Sequence, residues 1–194
     1  MSKILDVYLS FSSPFSYVAQ TQLAALAERT QCSIAYHMLD LHKLWEITGN
    51  SSPIKVPAKL KYLRKDLQDW CRHYDIPLNT PSRFPIDSRP GALAALAAQR
   101  GGKLPQFIET VLHAYFLEDR DIADQQVLGK LAESVGLDAQ AVIAAVSDPA
   151  IIKEVDANTE AAAKRGVFGV PTFFIGDDMY WGNDRLMFVE EALK

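Results

Sequence analysis

An apolar run, Ile4 to Leu9, gives way within three residues to Ser12-Ser13-Pro14-Phe15-Ser16, where a helical pattern begins. This junction restricts the fold more than any other part of the chain. A strand must end there and a helix must start, so a serine hydroxyl meets the positive end of a helix. Serine before proline is also an ordinary helix start, because its oxygen accepts an orphan N–H and proline fits the first helical position. The residues alone leave both uses open. A second uncommon element, Val170-Pro171-Thr172, stands far downstream, ahead of the strand-like run Phe173-Phe174-Ile175.

The intervening pattern supplies the organisation. Val18, Leu23, Leu26 and Ala27 make a helical stripe over Pro14 to Arg29, and Ile34, Tyr36 and Met38 alternate with Ala35 and His37 as a strand from Ser33 to Leu39 would. With a first strand over Ile4 to Ser10, this is a βαβ start whose serine loop lies at the edge where open α/β sheets bind small molecules. Turn residues from Gly49 to Pro57 predict a loop. Helices are predicted over Ala58–Tyr74, Arg89–Arg100, Leu104–Phe116, Asp124–Ser134 and Asp138–Val146. A further helix from Ala150 to Lys164 ends at Gly166, and a hairpin about Gly176-Asp177-Asp178 joins Phe173–Ile175 to Met179–Trp181. Asn183 or Asp184 caps a last helix through Leu193. The expected fold is α/β: βαβ, an all-helical insertion over 46–149, then αββα, with 1–45 and 150–194 forming one discontinuous domain.

Composition narrows the function. Twenty basic against twenty-four acidic residues, a net charge of −4, argue against a nucleic-acid-binding surface. No run approaches the roughly 18 apolar residues of a membrane span, and the N-terminus lacks a signal-peptide pattern, so a cytoplasmic location is expected. Cys32 and Cys71 match neither a redox nor a metal spacing, and Cys71 shares a helical face with Leu60, Leu63, Leu67, Trp70 and Tyr74. His37, His42, His73 and His113 form no ligand pattern, so no metal is expected. No phosphate-binding loop occurs.

The element order, with Ser-Pro after the first strand and Val-Pro before the third, resembles the thioredoxin-like disulfide oxidoreductases that carry a helical insertion. Within that group the chain is similar to the kappa-class glutathione transferases and the related 2-hydroxychromene-2-carboxylate isomerases. These replace the redox Cys-x-x-Cys by a serine motif, read here as Ser13-Pro14-Phe15-Ser16. Gly49-Asn50 with Pro57-Ala58-Lys59, and Gly166 to Thr172 with the proline that the family holds in cis, match further segments. Trp181-Gly182-Asn183-Asp184-Arg185 resembles the isomerase branch, since the transferases usually have serine before the Asp-Arg pair; Phe84-Pro85 with Ser88 adds support.

The resemblance implies a glutathione-dependent enzyme with Ser13 as the catalytic residue. Ser13, Asn50, Lys59, Val170, Pro171, Asn183, Asp184 and Arg185 would bind glutathione. Chemistry agrees with these assignments. A thiol, with a pKa of about 8.5, needs positive potential to be a thiolate at neutral pH, and a helix N-terminus with a serine donor supplies it. If Pro171 is cis, the Val170 N–H and C=O point outward and can pair with an extended peptide. Glutathione carries two carboxylates and an ammonium: Lys59 suits one carboxylate, the helix start near Asn183 the other, and Asp184 the ammonium, with Asn50 a neutral partner. Arg185 binds ligand, supports Asp184 or crosses a subunit interface.

The implied reaction is cis-trans isomerisation of 2-hydroxychromene-2-carboxylate, or a similar aromatic keto acid of the kind naphthalene breakdown yields, to trans-o-hydroxybenzylidenepyruvate. Lys43, Trp45, Tyr180 and Trp181 are substrate candidates, and the family suggests a homodimer. The alternatives are a kappa-like transferase or peroxidase, a disulfide oxidoreductase that Ser13 and Ser16 disfavour, and a peptide-binding module of the same fold.

Overall fold

The computed structural model describes residues 3–194. Strands β1 (Ile4–Leu9), β2 (Ser33–Met38), β3 (Thr172–Ile175) and β4 (Asp178–Trp181) form one sheet in the order β2-β1-β3-β4. β1 and β2 are parallel, connected through α1 (Pro14–Thr30), and β3 is antiparallel to β1 and β4. After β2 come α2 (Leu41–Thr48), α3 (Pro57–Tyr74), α4 (Arg89–Arg100), α5 (Leu104–Phe116), α6 (Gln125–Ser134) and α7 (Ala139–Ala145). α8 (Pro149–Arg165) returns the chain to β3, and α9 (Leu186–Leu193) ends it. This is the α/β thioredoxin-like order with helices inserted between its halves.

Alternation along β1 sets the two faces of the sheet. Leu5, Val7 and Leu9 are fully buried on one face, in a core with Val18 and Leu23 of α1, Phe107 and Val111 of α5, and Phe173 of β3. Tyr8 and Phe174 occupy the other face with Leu39, Leu44, Ala162 and Val167. Ala94 and Ala98 of α4 and Leu128 of α6 also belong to the first core. The inserted helices therefore bury their apolar faces on the same centre as the sheet, each large side chain contributing about 1.5–3 kcal/mol.

Three local features differ from the pattern in the sequence. Leu41–Thr48 is a helix that spans residue 45; Asp40 caps it, accepting from the His42 and Lys43 N–H groups at 3.1 and 3.2 Å, and Gly49 ends it with φ of 70°. The connection from Gly49 to Pro57 contains a 3₁₀ turn at Pro53–Lys55. Neither Asn183 nor Asp184 caps α9. Both lie in a 3₁₀ turn, Asn183–Arg185, and Arg185 takes the cap position without a side-chain bond. The cause is upstream: Gly182 has φ of 105° and its N–H donates to Pro171 O at 2.9 Å, which fixes the chain there before the helix begins.

Candidate active site

Ser13 is the N-cap of α1, with extended backbone and 8% exposure. Its Oγ accepts from the Ser16 N–H at 3.2 Å, the ordinary capping bond, and this leaves its own proton free. Pro14 has no N–H, and the Phe15 N–H has no hydrogen-bond partner among the described residues. The helix start thus presents two unused donors, one hydroxyl and one amide. Both lie where the helix dipole favours negative charge.

The β1–β3 register pairs Tyr8 with Thr172, which brings the residues before Thr172 to the C-terminal end of β1, beside the serine loop. The Val170–Pro171 bond is cis, as is Phe84–Pro85. Neither the N–H nor the C=O of Val170 is bonded among the described residues, whereas Pro171 O is taken by Gly182. Asn50 Nδ2 donates to Phe168 O at 2.8 Å, so Asn50 braces the loop that carries Val170. The Trp181 ring packs against Phe168, tilted by 60° with centroids 4.8 Å apart, and covers Gly169, where a Cβ would lie 2.9 Å from the indole Nε1.

The segment after Trp181 meets α3. Asn183 is 3% exposed, and its Nδ2 has no partner among the described residues. Arg185 donates to Asp184 at 2.8 Å. Burial raises the Asp66 carboxyl above the ordinary aspartate value, and the neighbouring Asp184 charge raises it further, against a Trp70 hydrogen bond that pulls it down. Tyr74 is pushed up by burial and then by Asp184. The Asp66 and Asp184 charges are therefore near enough to repel one another, Asp66 on α3 and Asp184 in the turn at Asn183–Arg185. Asp66 also lines a cavity of about 340 Å³ with Asp69, Trp70, His73 and Met187.

Lys59 lies in the first turn of α3, exposed and with no ion-pair partner among the described residues. It precedes Asp66 by seven residues, two turns along one helix face, so their Cα atoms are offset by about 10 Å along the axis. Lys43 and Trp45 are not part of this arrangement. Lys43 pairs with Asp156 at 3.4 Å and Glu160 at 3.0 Å, and Trp45 packs against the cluster holding Leu39, Leu44 and Phe174. Tyr180 packs against the main core, and Trp181 adjoins the Val170 loop through Phe168 and Gly169, while Trp45 packs against the same small cluster as Val170. Asp66 was hidden in the sequence among the charges of α3; its spacing from Lys59 was the available signal.

A thioredoxin-like sheet with a serine in place of the reactive thiol at the α1 N-terminus and a cis proline opposite it defines the class. The profile of the DSBA-like thioredoxin domain matches residues 4–194. The chain is 38% identical over 195 residues to the 2-hydroxychromene-2-carboxylate isomerase of Sphingobium xenophagum, covering 100% of this chain and 99% of the relative. A solved 2-hydroxychromene-2-carboxylate isomerase superposes with a TM-score of 0.89 at 35% identity, covering 98% of this chain and 94% of the other. Glutathione S-transferase kappa 1 of Homo sapiens is more distant, 22% identical over 207 residues, covering 100% of this chain and 92% of the relative. The chain belongs to the DSBA-like thioredoxin-domain family, in the branch of the 2-hydroxychromene-2-carboxylate isomerases.

Proposed function

We propose that the protein is a glutathione-dependent isomerase that converts 2-hydroxychromene-2-carboxylate, or a similar ring-cleavage product, to trans-o-hydroxybenzylidenepyruvate. One observation carries the reading: the α1 N-terminus keeps two unused donors, the Ser13 hydroxyl and the Phe15 N–H, while the motif holds no thiol. Such a site suits a sulfur anion delivered by a ligand. Glutathione, when bound, supplies a thiolate that adds reversibly to the conjugated double bond and so makes it a single bond.

The residues fit that ligand. Ser13 and the helix start stabilise negative sulfur. The free N–H and C=O of Val170 suit an extended peptide backbone, and the Pro171 neighbour fixes their direction. The paired carboxylates Asp66 and Asp184 suit an ammonium, Lys59 suits a carboxylate, and the unpartnered buried Asn183 Nδ2 offers a donor. Asn50 and Arg185 act indirectly, Asn50 through the Phe168 carbonyl and Arg185 through Asp184. A relative named as this isomerase supports the reaction, and a more distant one named as a glutathione transferase supports the cofactor.

A homodimer is part of the reading, supported by the exposed Met179, Trp181, Met187 and Phe188 on β4 and α9. A cytoplasmic location is supported by the unpaired thiols of Cys32 and Cys71. The test is turnover of 2-hydroxychromene-2-carboxylate with and without glutathione. Turnover that requires glutathione is expected; equal rates without it would remove the cofactor, and no turnover would remove the reaction.

A further inference from the structure

A set of hydroxyls beside Ser13 has no part in the glutathione contacts above. Ser10 Oγ lies 3.0 Å from Ser88 Oγ and 3.2 Å from Ser12 Oγ, and Ser88 Oγ donates to Ser12 Oγ at 3.2 Å. The three close a triangle. Ser10 and Ser88 are 0% and 4% exposed, whereas Ser12 is half-buried and adjoins Ser13. Ser12 is the most exposed of the three.

The triangle is held from both sides. The Ser13 N–H bonds Ser10 O at 3.2 Å, closing a turn over Phe11 and Ser12, and the Ser10 N–H bonds Ser16 Oγ at 3.3 Å. Ser88 occupies the N-cap position of α4, yet its side chain does not cap that helix; Asp87 Oδ1 accepts the Arg89 N–H at 2.9 Å instead. Its hydroxyl is committed to Ser10 and Ser12. Gly91 lets the first turn of α4 come this close, since a Cβ there would lie 2.7 Å from Phe11 Cδ2.

Counting protons shows what the arrangement can do. Each hydroxyl has one proton to give. With Ser88 donating to Ser12, the proton of Ser10 goes to Ser88, and the Ser12 proton alone can choose between its neighbour and a ligand. Turned outward, Ser12 still accepts from Ser88, which strengthens it as a donor.

We propose that Ser12 is a substrate-contacting hydrogen-bond donor, with Ser10 and Ser88 as positioning residues, and that it recognises the keto oxygen of a conjugated 2-keto acid. The inference rests on the isomerase reading. The chromene ring would first open, its ring C–O bond breaking as the hydroxyl proton passes to the phenol oxygen. Sulfur addition at the benzylic carbon of the open keto acid would then move the C=C π pair into the adjoining bond and the C=O π pair onto the keto oxygen. Rotation about the new single bond would follow, and reversal of these shifts would expel the thiolate. No proton or electron is gained or lost, so Ser12 keeps its proton, and its hydrogen bond strengthens as charge builds on oxygen.

The experiment compares wild type, Ser12→Ala, Ser12→Thr and Ser88→Ala. It measures isomerisation at saturating glutathione, the thiol pKa of bound glutathione by thiolate absorbance, and binding of trans-o-hydroxybenzylidenepyruvate to the glutathione-free protein by tryptophan fluorescence. Ser12→Ala should lower kcat/KM by about 10- to 100-fold, the range for one hydrogen bond to a charged oxygen, and weaken keto-acid binding, with the thiol pKa unchanged. Ser12→Thr should restore most of the loss, and Ser88→Ala should show a smaller loss in the same direction. Wild-type rates and binding in Ser12→Ala would overturn the proposal, as would a raised thiol pKa, which would assign Ser12 to the sulfur. If Ser12→Ala fails to fold, full activity in Ser88→Ala overturns the positioning role that the proposal requires. An inactive wild type would instead sink the isomerase reading itself.

Discussion

At the residue scale, Ser13 serves two structures with one oxygen. Its lone pair caps α1 and its proton is left for a ligand, so Ser13→Ala should have two separable effects. Loss of the cap costs about 1 kcal/mol of stability. Loss of a donor to an anionic sulfur, worth about 1.5–3 kcal/mol, should raise the thiol pKa of bound glutathione by about one to two units. Turnover near neutral pH should fall and recover partly as pH rises, with glutathione affinity largely kept. An unchanged thiol pKa would mean that the helix and the Phe15 N–H suffice. Asp66 works in the opposite sense. Its folded pKa lies above the unfolded value, so its ionised form is a stability deficit, present in full above the folded pKa and gone below the unfolded one. An ammonium ligand favours that ionised form. Affinity for S-methylglutathione should therefore weaken as pH falls through the raised pKa of Asp66. Asp66→Asn should bind more weakly, lose that acid limb, and melt at a higher temperature when ligand-free. Calorimetry across pH decides it, and wild-type affinity in Asp66→Asn at every pH would return this residue to a structural role.

At the element scale, strands and long helices were legible because their apolar periods are unambiguous: β1, α1, α5 and the β3–β4 hairpin occur where the pattern placed them. α2 was not read, although Leu41, Leu44, Trp45 and Ile47 have helical spacing, because eight residues are too short a window for that period to stand out. Asp40 and Gly49 were its true signals, a cap at each end. The turn at Asn183–Arg185 was misread for a related reason, since a good capping residue is also a good turn residue, and the Gly182–Pro171 bond that decides between them is a long-range contact. The meeting of α4 with the Phe11–Ser12 turn could not be read at all; it depends on Gly91 lying against a Phe11 that is 1% exposed. Gly91→Ala tests this contact. Alanine favours a helix over glycine by about 1 kcal/mol, but overpacking a buried ring costs about 1–3 kcal/mol. A net loss of about 0–2 kcal/mol is expected in denaturant unfolding. Stabilisation by the full helix-propensity gain would show that Phe11 moves aside freely.

At the scale of the whole molecule, the insertion and the thioredoxin-like part are joined by charge as well as by core. Arg89, at the start of α4, pairs with Asp40, the cap of α2, and at 2.9 Å with Asp156 of α8; Lys43 joins Asp156 to Glu160. A cation at a helix start opposes the helix dipole, so Arg89 is there for its acidic partners. The guanidinium is held above its ordinary pKa: burial works against its charge, and the bonds to Asp40 and Asp156 outweigh that. The Asp40 side chain is 7% exposed. Arg89→Met would keep the packing volume and leave that carboxylate without its cation, a loss of about 2–4 kcal/mol given that Arg89 is itself partly exposed. Asn at position 40 still accepts the capping bonds of α2, so adding Asp40→Asn to Arg89→Met should recover part of the loss, and the double variant should be more stable than the single one. The shared core further predicts one cooperative transition in every variant. Denaturant unfolding followed by tryptophan fluorescence and by far-ultraviolet dichroism checks both points. Two separated transitions would mean that the halves fold apart, and a loss below about 1 kcal/mol in Arg89→Met would mean that water already screens Asp40.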